Sequence, residues 1–199
     1  MPKKAKVYGI QRSGNNWLQW MLAANYKVKI MGSNYGWTHG PYSTDKEVAD
    51  AVNFVTSKHP IEWLPSMQRF HKVHHGLTIG QFIRRCDMIE RWNSLYAGHL
   101  ANAEKFGARF VRYDDLLRDP EAVLCGIVDG AFPRKPQPFR SAENQHMSTT
   151  MTPTKKPFNK RQYLEKTYLK RYTQAEIDEV IARVDWGVAN DLGYTKENL

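Results

Sequence analysis

The first 25 residues combine a strand-forming run, a tight polar turn and an amphipathic helical pattern, and this order constrains the fold more than any other feature. Lys6–Ile10 predicts a strand, and Gln11–Gly14 predicts a turn. Asn15–Ala24 then predicts a helix. The first backbone N–H groups of a helix have no partner within it, so a strand, turn and helix in this order can hold an anion.

Strand and helix patterns continue to alternate along the chain, which predicts an α/β fold with a central, mainly parallel sheet flanked by helices. A length of 199 residues predicts one domain spanning residues 1–199. The further strands are predicted at Val28–Met31, Asn53–Ser57 and Arg109–Arg112. The further helices are predicted at Ile61–Phe70, Thr78–Phe106, Pro120–Val128, Lys160–Arg171 and Gln174–Leu192, with a basic loop over residues 133–160.

The charge balance indicates an anionic partner. The formal net charge is +9 and the sequence pI is about 9.5, but these values do not choose among a nucleotide, an acidic glycan, nucleic acid and a membrane surface. Cys86 and Cys125 lie in apolar contexts and are predicted to be buried free thiols, as is typical of a reducing compartment. Since no apolar run reaches the ~20 residues that span a bilayer, the sequence predicts a cytoplasmic protein.

The turn after the first strand differs from the loop that binds nucleoside triphosphates. Gly9 and Gly14 have the spacing of that loop, but Asn15 and Asn16 replace its Lys and its magnesium-binding Ser or Thr. Arg12 adds a positive charge, and Ser13 adds a further short donor. An ordinary polar connection is the alternative, but this combination favours binding of a phosphate or sulfate group without a metal ion.

Two further groups of residues follow predicted strands. Lys58-His59-Pro60, with Ser66 eight residues after Lys58, could hold a phosphate from two directions. Arg112–Leu116 places Tyr113 where an aromatic ring could line a base pocket, and Asp115 is expected to cap a helix or fix a loop. A late basic run could fold over a second phosphate or form a solvated face, and it contains Lys155, Lys156, Lys160 and Arg161.

In this order, the three groups resemble the nucleotide-binding motifs of the sulfotransferases that use 3′-phosphoadenosine 5′-phosphosulfate (PAPS). Gln11–Trp17 resembles the family's Pro-Lys-Ser-Gly-Thr-Thr-Trp loop, and Lys58-His59-Pro60 with Ser66 resembles its Arg-Asn-Pro strand end with a later Ser. Arg112–Leu116 and the closing segment Asp185–Tyr194 also resemble family segments. The resemblance implies a three-layer fold like that of P-loop proteins, and transfer of a sulfuryl group from PAPS to a hydroxyl or amine.

The resemblance also implies a role for each matching residue. Arg12 would hold the phosphosulfate together with Ser13 and the N–H groups and amides of Gly14–Asn16. Trp17 would stack on adenine beside Tyr113, and Lys58 and Ser66 would bind the 3′-phosphate. One or more of Lys155, Lys156, Lys160 and Arg161 would replace the basic segment with which the family covers that phosphate. No metal is implied, and the product adenosine 3′,5′-bisphosphate (PAP) would occupy the same pocket.

His39 is the predicted base that takes the acceptor's proton, because the family has a catalytic His in a comparable place and an ordinary His pKa suits this task. The alternative is a surface histidine. Trp37 stands where many relatives have a Lys, so catalysis is expected to depend more on Arg12.

The expected partner is a small-molecule or glycan acceptor, with no nucleic acid and no membrane. The rival functions are a P-loop nucleotide phosphotransferase and a non-catalytic basic module that binds polyanions.

Overall fold

A central parallel sheet organises the structure, a computed structural model that describes residues 3–32, 37–43, 50–70, 76–141, 145–147 and 153–196, with only the backbone described for 145–147 and 153–157. The sheet has four strands in the order β2-β1-β3-β4, and every neighbouring pair is parallel. The strands are β1 (Lys4–Tyr8), β2 (Lys29–Ile30), β3 (Val52–Ser57) and β4 (Arg109–Arg112). The prediction of an α/β fold with a mainly parallel sheet is therefore confirmed.

Helices follow the strands along the chain. They are α1 (Asn15–Asn25), α2 (Pro60–Phe70), α3 (Ile79–Cys86), α4 (Met88–Ala101), α5 (Tyr113–Arg118), α6 (Pro120–Val128), α7 (Arg161–Leu164), a 3₁₀ helix (Thr167–Arg171), α8 (Gln174–Arg183) and α9 (Trp186–Asp191). Within the described ranges, no helix has the length and apolar character needed to cross a bilayer.

The sheet separates two apolar cores, which gives the fold three layers. Val7 and Phe54 are paired across β1 and β3 and belong to the core under α1, α5 and α6. Tyr8 and Val55, the next pair, belong to the core under α2, α3, α4 and α8. All four side chains are fully buried. Successive strand residues point to opposite faces, so a sheet with helices on both sides needs apolar residues at consecutive positions.

Three predicted helices are shorter in the structure. The helix predicted over Thr78–Phe106 is divided at Asp87, which has left-handed backbone with φ of 46°. Lys166, with φ of 53°, separates α7 from the 3₁₀ helix. The last predicted helix is divided because Val184 is extended and Asp185 caps α9 through the N–H groups of Gly187 and Val188. The apolar pattern continues across these breaks because the pieces pack on a shared core.

Two predictions about the rest of the chain need correction. Residues 133–160, predicted as a basic loop, contain two short antiparallel strands, β5 (Gln145–Met147) and β6 (Pro153–Pro157).

The two cysteines are free, as predicted, but they are not buried: Cys86 is only partly buried and Cys125 is exposed. Leu124 and Val128 fill the buried side of α6, whereas Cys125 lies on its outer side.

Candidate functional site

A cleft opens where β1, β3 and β4 end at the same edge of the sheet, with a cavity volume of about 180 Å³. Ligands commonly bind at this edge of open α/β sheets. The cleft is lined by Gln11, Arg12, Gly14, Asn15, Asn16, Trp17, His39, Lys58, Ser66, Phe70, Tyr113, Phe158 and Tyr163. The structure therefore brings together the residues that the sequence had placed after three separate strands.

Glycine shapes the turn between β1 and α1. Gly14 has φ of 99°, and a Cβ atom there would lie 2.6 Å from Cδ2 of Tyr113. Glycine is thus required both by the backbone conformation and by the close approach of the Tyr113 ring. Arg12 also has left-handed backbone, with φ of 68°. Its side chain is exposed, and its guanidinium carbon lies 5.4 Å from the centre of the Phe70 ring. Arg12 therefore places a positive charge at the mouth of the cleft.

Ser13 and Asn15 hold the turn together from inside. The buried Ser13 hydroxyl donates to the carbonyl of Ile10 at 2.6 Å and lies 2.8 Å from the Thr56 hydroxyl. Nδ2 of Asn15 donates to the carbonyls of Gly9 at 3.0 Å and Ile10 at 3.1 Å. Asn15 lines the cleft, whereas Ser13 is not among its lining residues. The predicted contact of the Ser13 side chain with a ligand has no support here, because its hydroxyl is committed to the turn.

The N-terminus of α1 faces the cleft. Gly14, Asn15 and Asn16 are lining residues, and the carbonyl of Gly14 accepts from the N–H groups of Trp17 and Leu18, both at 3.0 Å. The N–H groups that begin the helix have no acceptor within it, and they carry the positive end of the helix dipole. This end of the cleft therefore favours a negatively charged group.

His39 lines the same cleft and is held by the turn. Its Nδ1 lies 2.8 Å from the carbonyl oxygen of Gly9 and 3.2 Å from Nδ2 of Asn15. Since a carbonyl can only accept, Nδ1 carries the proton and the lone pair of the neutral ring is on Nε2. Burial lowers the pKa of His39, and the hydrogen bond to Gly9 opposes that effect in part. The ring is therefore neutral at pH 7, with Nε2 able to accept a proton.

Lys58 forms a buried ion pair that the sequence analysis missed. Its Nζ lies 3.0 Å from Oε1 of Glu62, and both side chains are only 2% exposed. The same Nζ is 3.5 Å from the Ser66 hydroxyl, which agrees with the predicted closeness of these two residues. It also lies over the rings of Tyr113 and Tyr163, at 4.2 and 4.0 Å from their centres. The spacing of four residues between Lys58 and Glu62 was a signal for this pair.

Aromatic rings form a wall of the cleft. The ring of Trp17 lies 6.1 Å from that of Tyr113 and 6.2 Å from that of Phe158, between centres. Phe158 stacks on Tyr163 at 5.5 Å. Flat apolar faces of this kind suit a nucleobase or another planar ring. Sequence reasoning predicted Trp17 and Tyr113 but missed Phe158 and Tyr163, which reach the wall from the region after β6.

Lys160 and Asp115 are not among the residues that line the cleft, and two further predicted residues have no described side chains. The side chains of Lys155 and Lys156, in β6, are outside the described residues, so their predicted contact with a phosphate stays a prediction. Lys160 donates to the carbonyl of Leu117 at 3.4 Å. Asp115 accepts two hydrogen bonds from Arg112, at 2.7 and 2.8 Å, so it fixes the residues after β4 instead of capping a helix.

No family model matches this chain, and no curated protein is significantly similar to it. The function therefore has to be argued from the cleft itself. Its described part offers an exposed guanidinium, a helix N-terminus, a neutral imidazole, a buried ammonium and an aromatic wall.

Proposed function

We propose that this protein transfers a sulfuryl group from PAPS to a hydroxyl or amine of a small-molecule or glycan acceptor. The observation that carries the proposal is that Arg12, His39 and Lys58, which follow different strands or loops, all line one cleft. PAPS carries charged groups at two separate positions of its ribose, the 5′-phosphosulfate and the 3′-phosphate, and an adenine at a third position. A cleft with two cations, an aromatic wall and a base fits such a donor better than it fits a simple anion.

The reacting end of the donor is assigned to Arg12 and the start of α1. A guanidinium binds a phosphate or sulfate through parallel hydrogen bonds, and the N–H groups of Gly14–Asn16 add donors from the backbone. The rings of Trp17 and Phe158, with centres 6.2 Å apart, are assigned to adenine.

His39 is assigned as the base. Its Nε2 takes the proton of the acceptor's hydroxyl or amine as a new bond forms from that oxygen or nitrogen to sulfur. At the same time the bond from sulfur to the 5′-phosphate oxygen breaks, and the electron pair remains on that oxygen. Arg12 stabilises the charge that develops there. Because Arg12 and the backbone supply this stabilisation, the proposal needs no metal ion.

Lys58 and Ser66 are assigned to the 3′-phosphate, which does not react. Binding energy from such a remote group can position the sulfuryl group for transfer. The distance of 3.5 Å between Nζ of Lys58 and Oγ of Ser66 lets both reach one phosphate. The fold assigned with this function is the three-layer arrangement of P-loop proteins, and an exposed free Cys125 supports a cytoplasmic location.

Isothermal titration with PAP tests the proposal most directly. We expect binding in the micromolar range without magnesium, and a clearly weaker signal with ATP. A transfer assay with radiolabelled PAPS and a panel of phenols, amines and sugars would then identify the acceptor. Absence of PAP binding at millimolar concentration would overturn the proposal. Strong, salt-dependent binding of RNA or DNA that PAP does not displace would favour the polyanion-binding module instead.

A further inference from the structure

A buried network of polar side chains holds the turn between β1 and α1. Its centre is Asn15, the first residue of α1, which is 4% exposed. Nδ2 of Asn15 donates to the carbonyl of Gly9 at 3.0 Å and to the carbonyl of Ile10 at 3.1 Å. Oδ1 of Asn15 accepts from the buried hydroxyl of Thr56 in β3. Because an amide nitrogen carries two hydrogens, this side chain has none left to donate to a ligand.

The two carbonyls determine which way the Asn15 amide faces. A carbonyl oxygen can only accept, so the nitrogen of the amide has to face Gly9 and Ile10. The amide oxygen then faces β3, where the Thr56 hydroxyl donates to it. Thr56 and the two carbonyls therefore fix Asn15 in one orientation.

Gly9 connects this network to His39. Its carbonyl oxygen accepts from Nδ1 of His39 at 2.8 Å, and its N–H donates to the carbonyl of Thr38 at 3.0 Å. Gly9 has φ of 141°, and a Cβ atom there would lie 2.8 Å from Oδ1 of Asn15. A glycine restricts the rotation of its neighbouring peptide groups less than any other residue, so another group has to hold this carbonyl in place. Asn15 is in contact with the carbonyl and supplies that restraint.

We propose that Asn15 is a positioning residue for the base: through the carbonyl of Gly9 it keeps the proton of His39 on Nδ1 and the lone pair on Nε2. Thr56 supports Asn15 from β3. This inference rests on the proposed function, because it concerns the base assigned there. A proton moved from Nδ1 to Nε2 would leave Nε2 without a lone pair, and the ring would then be unable to take the acceptor's proton at that atom.

A double-mutant cycle with His39 tests whether Asn15 acts through the base. We expect Asn15→Ala to lower kcat by about 10–100-fold when His39 is present, the cost of a misplaced reacting group. In the His39→Ala background the same substitution should lower kcat by less than about threefold, because the group that it positions is already gone. The affinity of Asn15→Ala for PAP, measured by calorimetry, should change little. Asn190→Ala, at an exposed position on α9, should behave as wild type.

NMR of the ¹⁵N-labelled imidazole gives a second measurement, which does not depend on transfer activity. A ring nitrogen that carries a proton differs widely in chemical shift from one that carries a lone pair, so the spectrum shows which nitrogen of His39 is protonated. At about pH 8, where the ring is neutral, we expect the proton on Nδ1 in the wild-type protein and in Asn190→Ala. Asn15→Ala should show a larger share of the form with the proton on Nε2. The spectrum of His39→Ala identifies the signals.

The outcomes separate this inference from the proposed function. Equal losses of kcat from Asn15→Ala in the two backgrounds would overturn the inference, as would an unchanged His39 spectrum in that variant. A wild-type protein that binds no PAP would overturn the function, and the spectra would still show whether Asn15 fixes the His39 ring.

A second pair of variants covers the case in which Asn15→Ala does not fold. Thr56→Val lacks the hydroxyl that holds Asn15 and should show the same change in the His39 spectrum, whereas Thr56→Ser keeps a hydroxyl and should retain most of the wild-type signal. Identical spectra for the two variants would contradict the proposed network.

Discussion

The carbonyl oxygen of Gly9 accepts a hydrogen bond from Nδ1 of His39 at 2.8 Å. This bond joins the end of β1 to the loop that carries the histidine, and it places the lone pair of the neutral ring on Nε2. Asn15 donates to the same carbonyl at 3.0 Å, so the ring is held by the turn that forms the anion site. The proposed base and the proposed sulfate site are therefore parts of one unit.

Replacing His39 with Ala should lower the rate of sulfuryl transfer by about 10²–10⁴-fold, the usual contribution of a general base. The affinity for PAP should change little, because PAP contains no group that needs the base. Steady-state kinetics and calorimetry on the same preparation measure the two quantities. A variant with full transfer activity would remove His39 from the mechanism.

Replacing Arg12 with Ala should lower kcat by about 10²–10³-fold, the effect seen when one donor to a developing charge is lost. Arg12→Lys should retain part of the activity, since it keeps the charge but loses the planar fork. Arg85, which is exposed on α3, offers a matched control as Arg85→Ala. Equal losses in the Arg12 and Arg85 variants would contradict a local role for Arg12.

Gly14→Ala should destabilise the fold by about 1–3 kcal/mol, because the residue would be forced to positive φ against the ring of Tyr113. Gly98 in α4 provides the control, since a Cβ there meets no atom within 4 Å. Gly98→Ala should stabilise the protein by about 0.5–1 kcal/mol through helix propensity. Urea unfolding of both variants measures the difference, and similar midpoints would refute the argument.

Acid should destabilise the protein through His99. This side chain is buried against Tyr42, at 4.7 Å between ring centres, and burial lowers its pKa to about 4. The pKa of His99 is about 4 in the folded protein and about 6.5 in the unfolded chain, so between these pH values the unfolded chain binds more protons. The free energy of unfolding therefore falls as the pH falls through this window. At pH 5 the loss from His99 should be about 2 kcal/mol.

His99→Leu should remove this contribution, although His59, whose pKa burial also lowers to about 4, would keep a part of the acid sensitivity. Urea unfolding at pH 7 and pH 5 gives the comparison. If the variant and the wild-type protein lose the same stability between these values, His99 does not titrate as argued.

Phe158→Ala should weaken binding of PAP by about 1–3 kcal/mol, the range for loss of one aromatic ring stacked on a base. Inorganic pyrophosphate, which has no base, should bind the variant and the wild-type protein equally. A parallel loss for both ligands would mean that the substitution disturbs the cleft as a whole.

Much of the site followed from the order of residues along the chain. Arg12, Lys58 and Tyr113 each come directly after, or within a few residues of, a predicted strand. The carboxyl ends of parallel strands lie at one edge of a sheet, so these side chains had to lie near one another. The side-chain directions within the turn could not be predicted, because a turn has no regular periodicity that shows which residues are buried. The Ser13 side chain, for example, points inward and donates to the carbonyl of Ile10.

The sequence alone determined the layered α/β fold and the edge of the sheet at which polar residues gather, because strand and helix patterns are local and parallel strands share a direction. Only the tertiary structure decided the surroundings of Lys58. Glu62 lies 3.0 Å from it in the first turn of α2, and burial between packed helices raises the pKa of that carboxyl group well above its ordinary value. Phe158 likewise joins the aromatic wall through a long-range contact with Trp17, which no pattern of nearby residues encodes.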